Sequence, residues 1–120
     1  MRWLKCLFGR DEAADDDVAT TMAKATAAVE RGDHAAALAL WGPLAHAGIG
    51  RAQNNIGACF AEGLGVARDP ALALRWLGLS AESGDPVGQR NLAALHFKGE
   101  GVPQSDAEAI RLYRLAAEQG

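Results

Sequence analysis

Small and apolar residues recur along this chain at the spacing of helices that are buried on one face. The clearest run predicts a buried face made of Ala52, Ile56, Cys59 and Phe60. The same spacing returns 36 residues later, at Gly88, Leu92, Leu95 and His96. A fixed period of this size is typical of a solenoid of stacked helical hairpins.

Glycines mark the same period. Gly48, Gly84 and Gly120 are separated by 36 residues each. Two glycine turns, EGLGVARDP and KGEGVPQSD, also occupy equivalent places after the third and fifth predicted helices. Glycine is the residue that most readily adopts the left-handed conformation with which many helices end. Each period therefore corresponds to one helical hairpin.

The residues between the apolar runs predict six helices. Helices one, two, three and five are expected over about 16–31, 34–47, 50–62 and 86–98. Helix four begins at Asp69-Pro70, a capping residue followed by proline at the first helical position, and Asp85-Pro86 repeats this signal. Helix six begins at Ser105, which forms a capping box with Glu108.

Further positions define the faces of these helices. The predicted buried faces are Val18, Met22, Ala25 and Val29 in helix one, Ala73, Leu74, Leu77 and Ala81 in helix four, and Ala109, Ile110, Tyr113 and Ala117 in helix six. Gly57 and Ala93 are small where a neighbouring helix needs close approach. Pro43 lies inside helix two, where it is expected to kink the chain.

The predicted fold is therefore an all-α, right-handed superhelical solenoid of three antiparallel hairpins. We expect a helical-repeat domain over residues 16–120, made of a divergent first hairpin (16–48) and two repeats (49–84 and 85–120). Residues 1–15 are expected to form a separate N-terminal segment.

The repeated motifs resemble the Sel-one-like repeat, a relative of the tetratricopeptide repeat. The first copy carries Ala52-Gln53, Asn55-Ile56-Gly57, Gly63-x-Gly65-Val66 and Glu82-Ser83-Gly84. The second copy carries Gln89, Asn91-Leu92, Gly99-x-Gly101-Val102 and Glu118-Gln119-Gly120. Residues 32–48 look like the incomplete leading repeat of bacterial members. Ala93, Gly88 and His96 depart from the pattern without breaking the fold. The resemblance implies a scaffold for protein complexes without intrinsic catalysis.

Charge and cysteine content exclude several classes of function. The net charge of −3 provides no broad positive surface, so nucleic acid is not expected as a partner. The two cysteines, Cys6 and Cys59, form neither a disulfide framework nor a metal-binding spacing and indicate a reducing compartment. No stretch is long and apolar enough for a membrane-spanning helix. A cytoplasmic location is the resulting expectation.

The N-terminal segment leaves alternatives open. Residues 1–10, MRWLKCLFGR, alternate basic and apolar side chains and are compatible with a membrane-surface contact, a cap on the first hairpin or a loose tail. The acidic run of residues 11–17 fits a solvated helix start, where carboxylates complement the helix dipole.

No arrangement of side chains predicts a catalytic, metal or cofactor site. His34, His46 and His96 are isolated from one another, and the glycine turns lack the lysine of a phosphate-binding loop. Cys59 lies on an apolar face and is expected to be a buried, unreactive thiol. A small enzyme is therefore a weaker alternative to a scaffold.

A binding surface is the remaining candidate. In superhelices of this kind the first helix of each hairpin lines the concave side. The polar residues predicted there, as contacts for a protein or peptide partner, are Arg51, Asn54, Asn55, Arg90, Asn91 and Lys98. Asn55 and Asn91 recur at the repeat period and also fit a structural role. The last hairpin is expected to leave Leu112, Tyr113 and Leu115 partly uncovered, which predicts self-association or a partner at that end.

Overall fold

The computed structural model describes residues 16–119, and this part of the chain is built from six α-helices. They are α1 (Val18–Glu30), α2 (His34–His46), α3 (Gly50–Glu62), α4 (Pro70–Glu82), α5 (Pro86–Lys98) and α6 (Asp106–Glu118). Helices that follow one another in the chain pack together, and α3 also packs against α5. The prediction of an all-α solenoid of three antiparallel hairpins is confirmed.

Side-chain caps explain where most of these helices begin. A carboxylate oxygen accepts a hydrogen bond from a backbone N–H three residues on at Asp17, Asp33, Asp69 and Asp85. Ser105 does the same for α6 through its hydroxyl oxygen. Such caps satisfy N–H groups that have no partner inside the helix. Helix α3 differs, because it begins after Ile49 without a side-chain cap.

Two glycines bring the inter-helix loops against the preceding hairpin. Gly65 has a φ of +75°, and a Cβ atom there would lie 2.8 Å from the Cβ of His34 at the start of α2. Gly101 has a φ of +73°, and its Cβ atom would lie 3.1 Å from the carbonyl oxygen of Pro70 at the start of α4. Both the positive φ and the close contact require glycine. The same contact therefore joins successive hairpins at the repeat period.

The hydrophobic core consists of two clusters. The first joins α1, α2 and α3, and its buried members are Ala25, Ala28, Ala37, Trp41, Ala45, Ala52, Ile56 and Cys59. The second joins α4, α5 and α6 through Leu77, Leu92, Ala93, Leu95, Ala109 and Leu112. Many of these residues are alanines, which allow helix backbones to approach closely. Gly57 and Leu77 connect the clusters, because a Cβ atom at residue 57 would lie 2.9 Å from the Leu77 Cγ atom.

The predicted buried faces are confirmed in α3, α4 and α5, where each residue is buried or half-buried. The predicted face of α6 is wrong at three of its four positions. Ile110, Tyr113 and Ala117 are exposed, whereas Leu112 and Ala116 are buried beside Ala109. In α4 the following hairpin covers the equivalent positions. Within the described residues no hairpin follows α6, so these positions stay exposed there.

The structure also tests the predictions for Val18 in α1 and Pro43 in α2. In α1 the prediction for Val18 is wrong, since this residue lies in the first turn and is 41% exposed. Ala28, which is not part of the predicted face, is buried. Helix α2 continues through Pro43 to His46, so the proline does not end the helix.

Candidate functional site

The three predicted asparagines form one hydrogen-bonded chain across α3 and α5. The Nδ2 atom of Asn91 donates to Oδ1 of Asn54 over 2.8 Å, and Nδ2 of Asn54 donates to Oδ1 of Asn55 over 3.1 Å. Asn54 is only 3% exposed, because it lies between the two packed helices. Asn55 and Asn91 are half-buried and remain at the surface. The chain therefore fixes the relative position of successive first helices.

Arg51 is held by Asp85. Its Nε atom lies 3.1 Å from both carboxylate oxygens of Asp85, and its Nη2 atom lies 3.0 Å from Oδ1. This hydrogen bonding raises the pKa of the Arg51 guanidinium, against the opposing effect of partial burial. Asp85 also caps α5 through the N–H of Gly88. Arg51 thus joins the beginning of α3 to the beginning of α5, and a contact with a partner is not needed to explain it.

Arg90 and Lys98 differ from Arg51 in their surroundings. Both side chains are exposed on α5. Among residues 16–119 neither takes part in an ion pair. Arg90 occupies the position that Asn54 has in the preceding repeat. Of the six predicted contacts, these two cations are the ones whose side chains have no structural partner in the described part of the protein.

A groove lies between α1 and α3 on the side formed by the first helices, and we call it the α1–α3 groove. Its volume is about 270 Å³, and its lining includes Thr26, Val29, Trp41, Asn55, Ala58 and Cys59. Trp41 is buried, and its Nε1–H group has no acceptor among the described residues. An unpaired buried donor is unusual because it costs the desolvation free energy of the group. The groove combines this donor with an amide at Asn55 and an apolar wall.

Chemistry that would support catalysis is limited in residues 16–119. In this range no group of three or more His, Cys, Asp or Glu side chains is placed to hold a metal ion. Cys59 is buried, and its burial raises the pKa of the thiol, with a smaller contribution from the charge of Glu62. A thiol with a raised pKa is a poor nucleophile at neutral pH because the thiolate is the reactive form. The expected buried and unreactive character of Cys59 agrees with this environment.

Sequence reasoning missed a set of buried polar side chains that join successive helices. Gln53 donates from Nε2 to the carbonyl oxygen of Ala45 over 3.1 Å. Gln89 makes the equivalent bond to Ala81 over 3.3 Å, at positions 36 residues further on. Ser80 is fully buried and donates to the carbonyl oxygen of Gly50 over 2.8 Å. The repetition of glutamine at the period was the available signal for this structural role.

The family model for the Sel1 repeat matches residues 50–85 and 86–120 of the chain. The protein belongs to the Sel1 repeat family. The two matched segments contain α3–α4 and α5–α6, whereas the first hairpin lies outside them. Sel1 repeat proteins are generally scaffolds for protein–protein interactions and typically lack catalysis. None of the curated proteins matches the chain.

Solved structures that share this fold include the following two. One is the crystal structure of c5321 from uropathogenic Escherichia coli, a protective antigen with an SLR fold, which is 37% identical with a TM-score of 0.69. The match covers 72% of this chain and 19% of that protein. The other is a Sel1 repeat protein from Oxalobacter formigenes, 30% identical with a TM-score of 0.76, and the match covers 82% of this chain and 40% of that protein. The chain therefore spans less than half the length of either Sel1 repeat protein.

The remaining expectations concern the N-terminal segment and the location of the protein in the cell. Residues 1–10, for which a membrane contact was considered, and Cys6 lie outside the described residues. No helix between residues 16 and 119 has the length and apolar character needed to cross a bilayer. The cytoplasmic location and the bacterial origin stay predictions.

Proposed function

We propose that this Sel1 repeat protein is a non-catalytic scaffold that binds a protein or peptide along the surface of its first helices. The observation that carries the proposal is the α1–α3 groove, whose lining includes both Asn55 and Trp41, the latter with a buried and unpaired indole N–H. Family membership supports the same class of function. The exposed cations Arg90 and Lys98 extend the polar surface along α5.

The chemistry of the groove fits a polypeptide backbone. A peptide carbonyl accepts from an N–H donor such as the Trp41 indole, and the Asn55 side chain provides both a donor and an acceptor. Val29 and Ala58 contribute apolar wall area to the same groove. Apolar walls with a few directed polar groups are typical of ligand sites. Arg90 and Lys98 favour a partner with acidic side chains, since they have no ion-pair partner within residues 16–119.

The test is affinity capture from the native cell with mass spectrometry, comparing the wild-type protein with Ala58→Arg. Ala58 lines the α1–α3 groove, so a long side chain there should block it. Ala94→Arg is the matched control, because Ala94 occupies the equivalent position on α5 and is half-buried like Ala58. We expect the partner to be lost with Ala58→Arg and retained with Ala94→Arg. Equal capture by both folded variants would contradict the proposed groove.

The cations are tested separately with Arg90→Glu and Lys98→Glu. Each should weaken capture while leaving the thermal unfolding midpoint nearly unchanged, because exposed substitutions away from structural contacts usually change stability little. Arg51→Glu is unsuitable for this purpose, since it places a carboxylate against Asp85 and removes a contact between two helices. Capture that is insensitive to both α5 substitutions would remove these residues from the binding surface.

Self-association through the last hairpin is a second proposal. It is supported by the exposed apolar side chains of Ile110, Tyr113 and Leu115 on α6. Contiguous exposed apolar area favours a protein contact. Light scattering should then detect dimers whose population falls with Ile110→Lys. A monomer at all micromolar concentrations would count against this contact.

A further inference from the structure

The second helices α2, α4 and α6 are separated by two grooves that repeat one another. The α2–α4 groove has a volume of about 490 Å³, and its lining includes Ala45, His46, Gln53, Arg75, Trp76 and Leu79. The α4–α6 groove has a volume of about 380 Å³ and is lined at five equivalent positions by Ala81, Glu82, Arg111, Leu112 and Leu115. Both lie away from the α1–α3 groove. Equivalent positions allow the two to be compared residue by residue.

One glutamine side-chain oxygen has a hydrogen-bond donor in the last repeat, and its equivalent in the repeat before it has none. Gln89 Oε1 accepts a hydrogen bond from Nε2 of Gln119 over 2.9 Å. Gln53 is its equivalent and is 7% exposed, but its Oε1 atom has no donor among residues 16–119. Ser83 stands where Gln119 does, and its hydroxyl donates instead to the carbonyl oxygen of Ser80 over 2.7 Å. Gln53 consequently lines its groove, whereas Gln89 does not line the equivalent one.

The arginines of the two grooves also differ. Arg111 is paired with Glu108, with 3.0 Å between Nε and Oε2. Arg75 is the equivalent residue, but Leu72 replaces the glutamate. Arg75 is exposed, and none of the ion pairs found in the described residues includes it. The α2–α4 groove therefore presents a cation that the other groove neutralises internally.

Aromatic and apolar side chains complete the α2–α4 groove. The rings of His46 and Trp76 have centroids 5.9 Å apart at an angle of 43°. Leu79 is an exposed large hydrophobic residue on the same groove. A ligand in this groove thus meets an apolar wall and a cation, and Gln53, with its buried and unpaired acceptor, is part of the lining.

We propose that the α2–α4 groove is a second binding site, for a peptide that presents a glutamine or asparagine side-chain amide to Gln53 Oε1 and a neighbouring carboxylate to Arg75. The chain itself shows the first contact, because Gln119 supplies that amide to Gln89, the equivalent of Gln53 in the last repeat. A donor that reaches Gln53 Oε1 satisfies an acceptor already withdrawn from water, so little further desolvation opposes the bond. The pairing with Arg75 is a charge-assisted hydrogen bond.

The probe is the acetylated and amidated pentapeptide Leu-Ala-Ala-Glu-Gln, which reproduces residues 115–119. Titration into the ¹⁵N-labelled protein should shift the side-chain amide signal of Gln53 and the indole signal of Trp76. A peptide ending in leucine instead of glutamine should bind about tenfold more weakly, as expected for loss of one hydrogen bond to a buried group. A peptide with glutamine in place of glutamate should also bind more weakly. Absence of shifts at Gln53 and Trp76 up to millimolar peptide would overturn the proposal.

Two variants transplant the last repeat into the α2–α4 groove. Ser83→Gln should fill it with the chain's own amide, because Ser83 (φ −73°, ψ −6°) and Gln119 (φ −87°, ψ −5°) close their helices with nearly the same backbone conformation. We expect at least about a tenfold loss of peptide affinity with an unchanged or higher melting temperature. Leu72→Glu should pair with Arg75 and remove the preference for glutamate in the peptide.

The control is the reverse exchange, Gln119→Ser, which exposes Gln89 and should make the α4–α6 groove respond to the same peptide. Unchanged affinity in folded Ser83→Gln together with unchanged glutamate preference in Leu72→Glu would exclude this site. The proposal is separable from the function proposed above. Ala58→Arg blocks the α1–α3 groove and should leave pentapeptide binding unaltered.

Discussion

Helices α4 and α6 have equivalent sequences but different surroundings. Leu77 of α4 is 2% exposed, whereas Tyr113, its equivalent in α6, is 43% exposed. Leu74 is half-buried, and its equivalent Ile110 is 53% exposed. The difference has one cause. Helix α4 contacts the α5–α6 hairpin, and no further hairpin covers α6 within the described residues.

The comparison separates two interfaces within a single repeat. Positions that face the partner helix of the same hairpin are buried in both repeats, as Ala73 and Ala109 are. Positions that face the next hairpin are buried only where that hairpin is present. Leu77 lies at both interfaces, since it packs close to Gly57 of its own hairpin and also clusters with Leu92, Leu95 and Leu112 of the following hairpin. In a solenoid, the stability contributed by a repeat therefore depends on its neighbours.

Replacement of Leu77 should give the largest effect that tests this comparison. Leu77→Ala opens a cavity between two hairpins and should lower the free energy of unfolding by about 2–5 kcal/mol. Tyr113→Ala should cost on the order of 1 kcal/mol or less, since 43% of the residue remains exposed to water. Urea denaturation of both variants measures the difference. Similar losses at the two positions would mean that α6 is covered in solution, for example by a second copy of the chain.

Gly57 provides the next test, with an effect of intermediate size. A methyl group at residue 57 would lie 2.9 Å from Leu77 Cγ and 3.3 Å from the Ala73 carbonyl oxygen. Gly57→Ala should therefore cost about 1–3 kcal/mol of stability through overpacking. The higher helix propensity of alanine offsets about 1 kcal/mol of this cost. The equivalent residue in the second repeat is alanine, and Ala93→Gly should lose about 1 kcal/mol from helix propensity.

A double-mutant cycle identifies the contact responsible. In the Leu77→Ala background the space for a methyl group is available, so Gly57→Ala should become neutral or stabilising. Denaturant unfolding of the four proteins in the cycle gives the coupling free energy. Additive effects of Gly57→Ala and Leu77→Ala would contradict the contact between the two clusters of the core.

Much of the fold could be predicted from the sequence because its signals are local. Asp69-Pro70 and Asp85-Pro86 cap helices through contacts with residues three positions away, and these helices begin where expected. The period of 36 residues likewise follows from repeated motifs. The wrong face of α6 has a different origin. Burial of Ile110 and Tyr113 depends on a neighbouring hairpin, which the helical periodicity of α6 does not specify.

The binding surfaces were less accessible to sequence reasoning. The sequence predicts Arg51 and Asn54 as contacts for a partner, and in the structure Arg51 bonds to Asp85 and Asn54 bonds to Asn91. Each of these pairs is separated by more than 30 residues, so only the packing of α3 on α5 brings the partners together. The difference between Ser83 and Gln119 is visible in the sequence. Its consequence for Gln53 depends on how α4 packs against α3.

The smallest expected effect concerns the ion pair that α6 has and α4 lacks. The hydrogen bond from Arg111 is the main cause that lowers the pKa of Glu108, and the charges of Arg111 and His96 act in the same direction. A folded-state pKa below the unfolded value of about 4.3 means that the pair stabilises the protein above that pH. This contribution is lost as the pH falls through the folded-state pKa. Because Arg111 is exposed and Glu108 is only half-buried, solvent screens the pair and the contribution should be small.

Glu108→Gln should therefore lower the unfolding free energy slightly at pH 7 and by less at pH 3, measured by urea denaturation at both pH values. NMR titration of the Glu108 carboxyl group in the Arg111→Gln variant supplies the control, since its pKa should return towards the ordinary glutamate value. A pKa that stays lowered without Arg111 would show that another group, such as His96 or the positive end of the α6 dipole, is responsible. Leu72→Glu should introduce the same acid-dependent contribution into α4, because it places a carboxylate three residues before Arg75. If, in this variant, α4 gains this pH dependence and the pentapeptide loses its preference for glutamate, then one carboxylate at this position accounts for both differences between the two equivalent grooves.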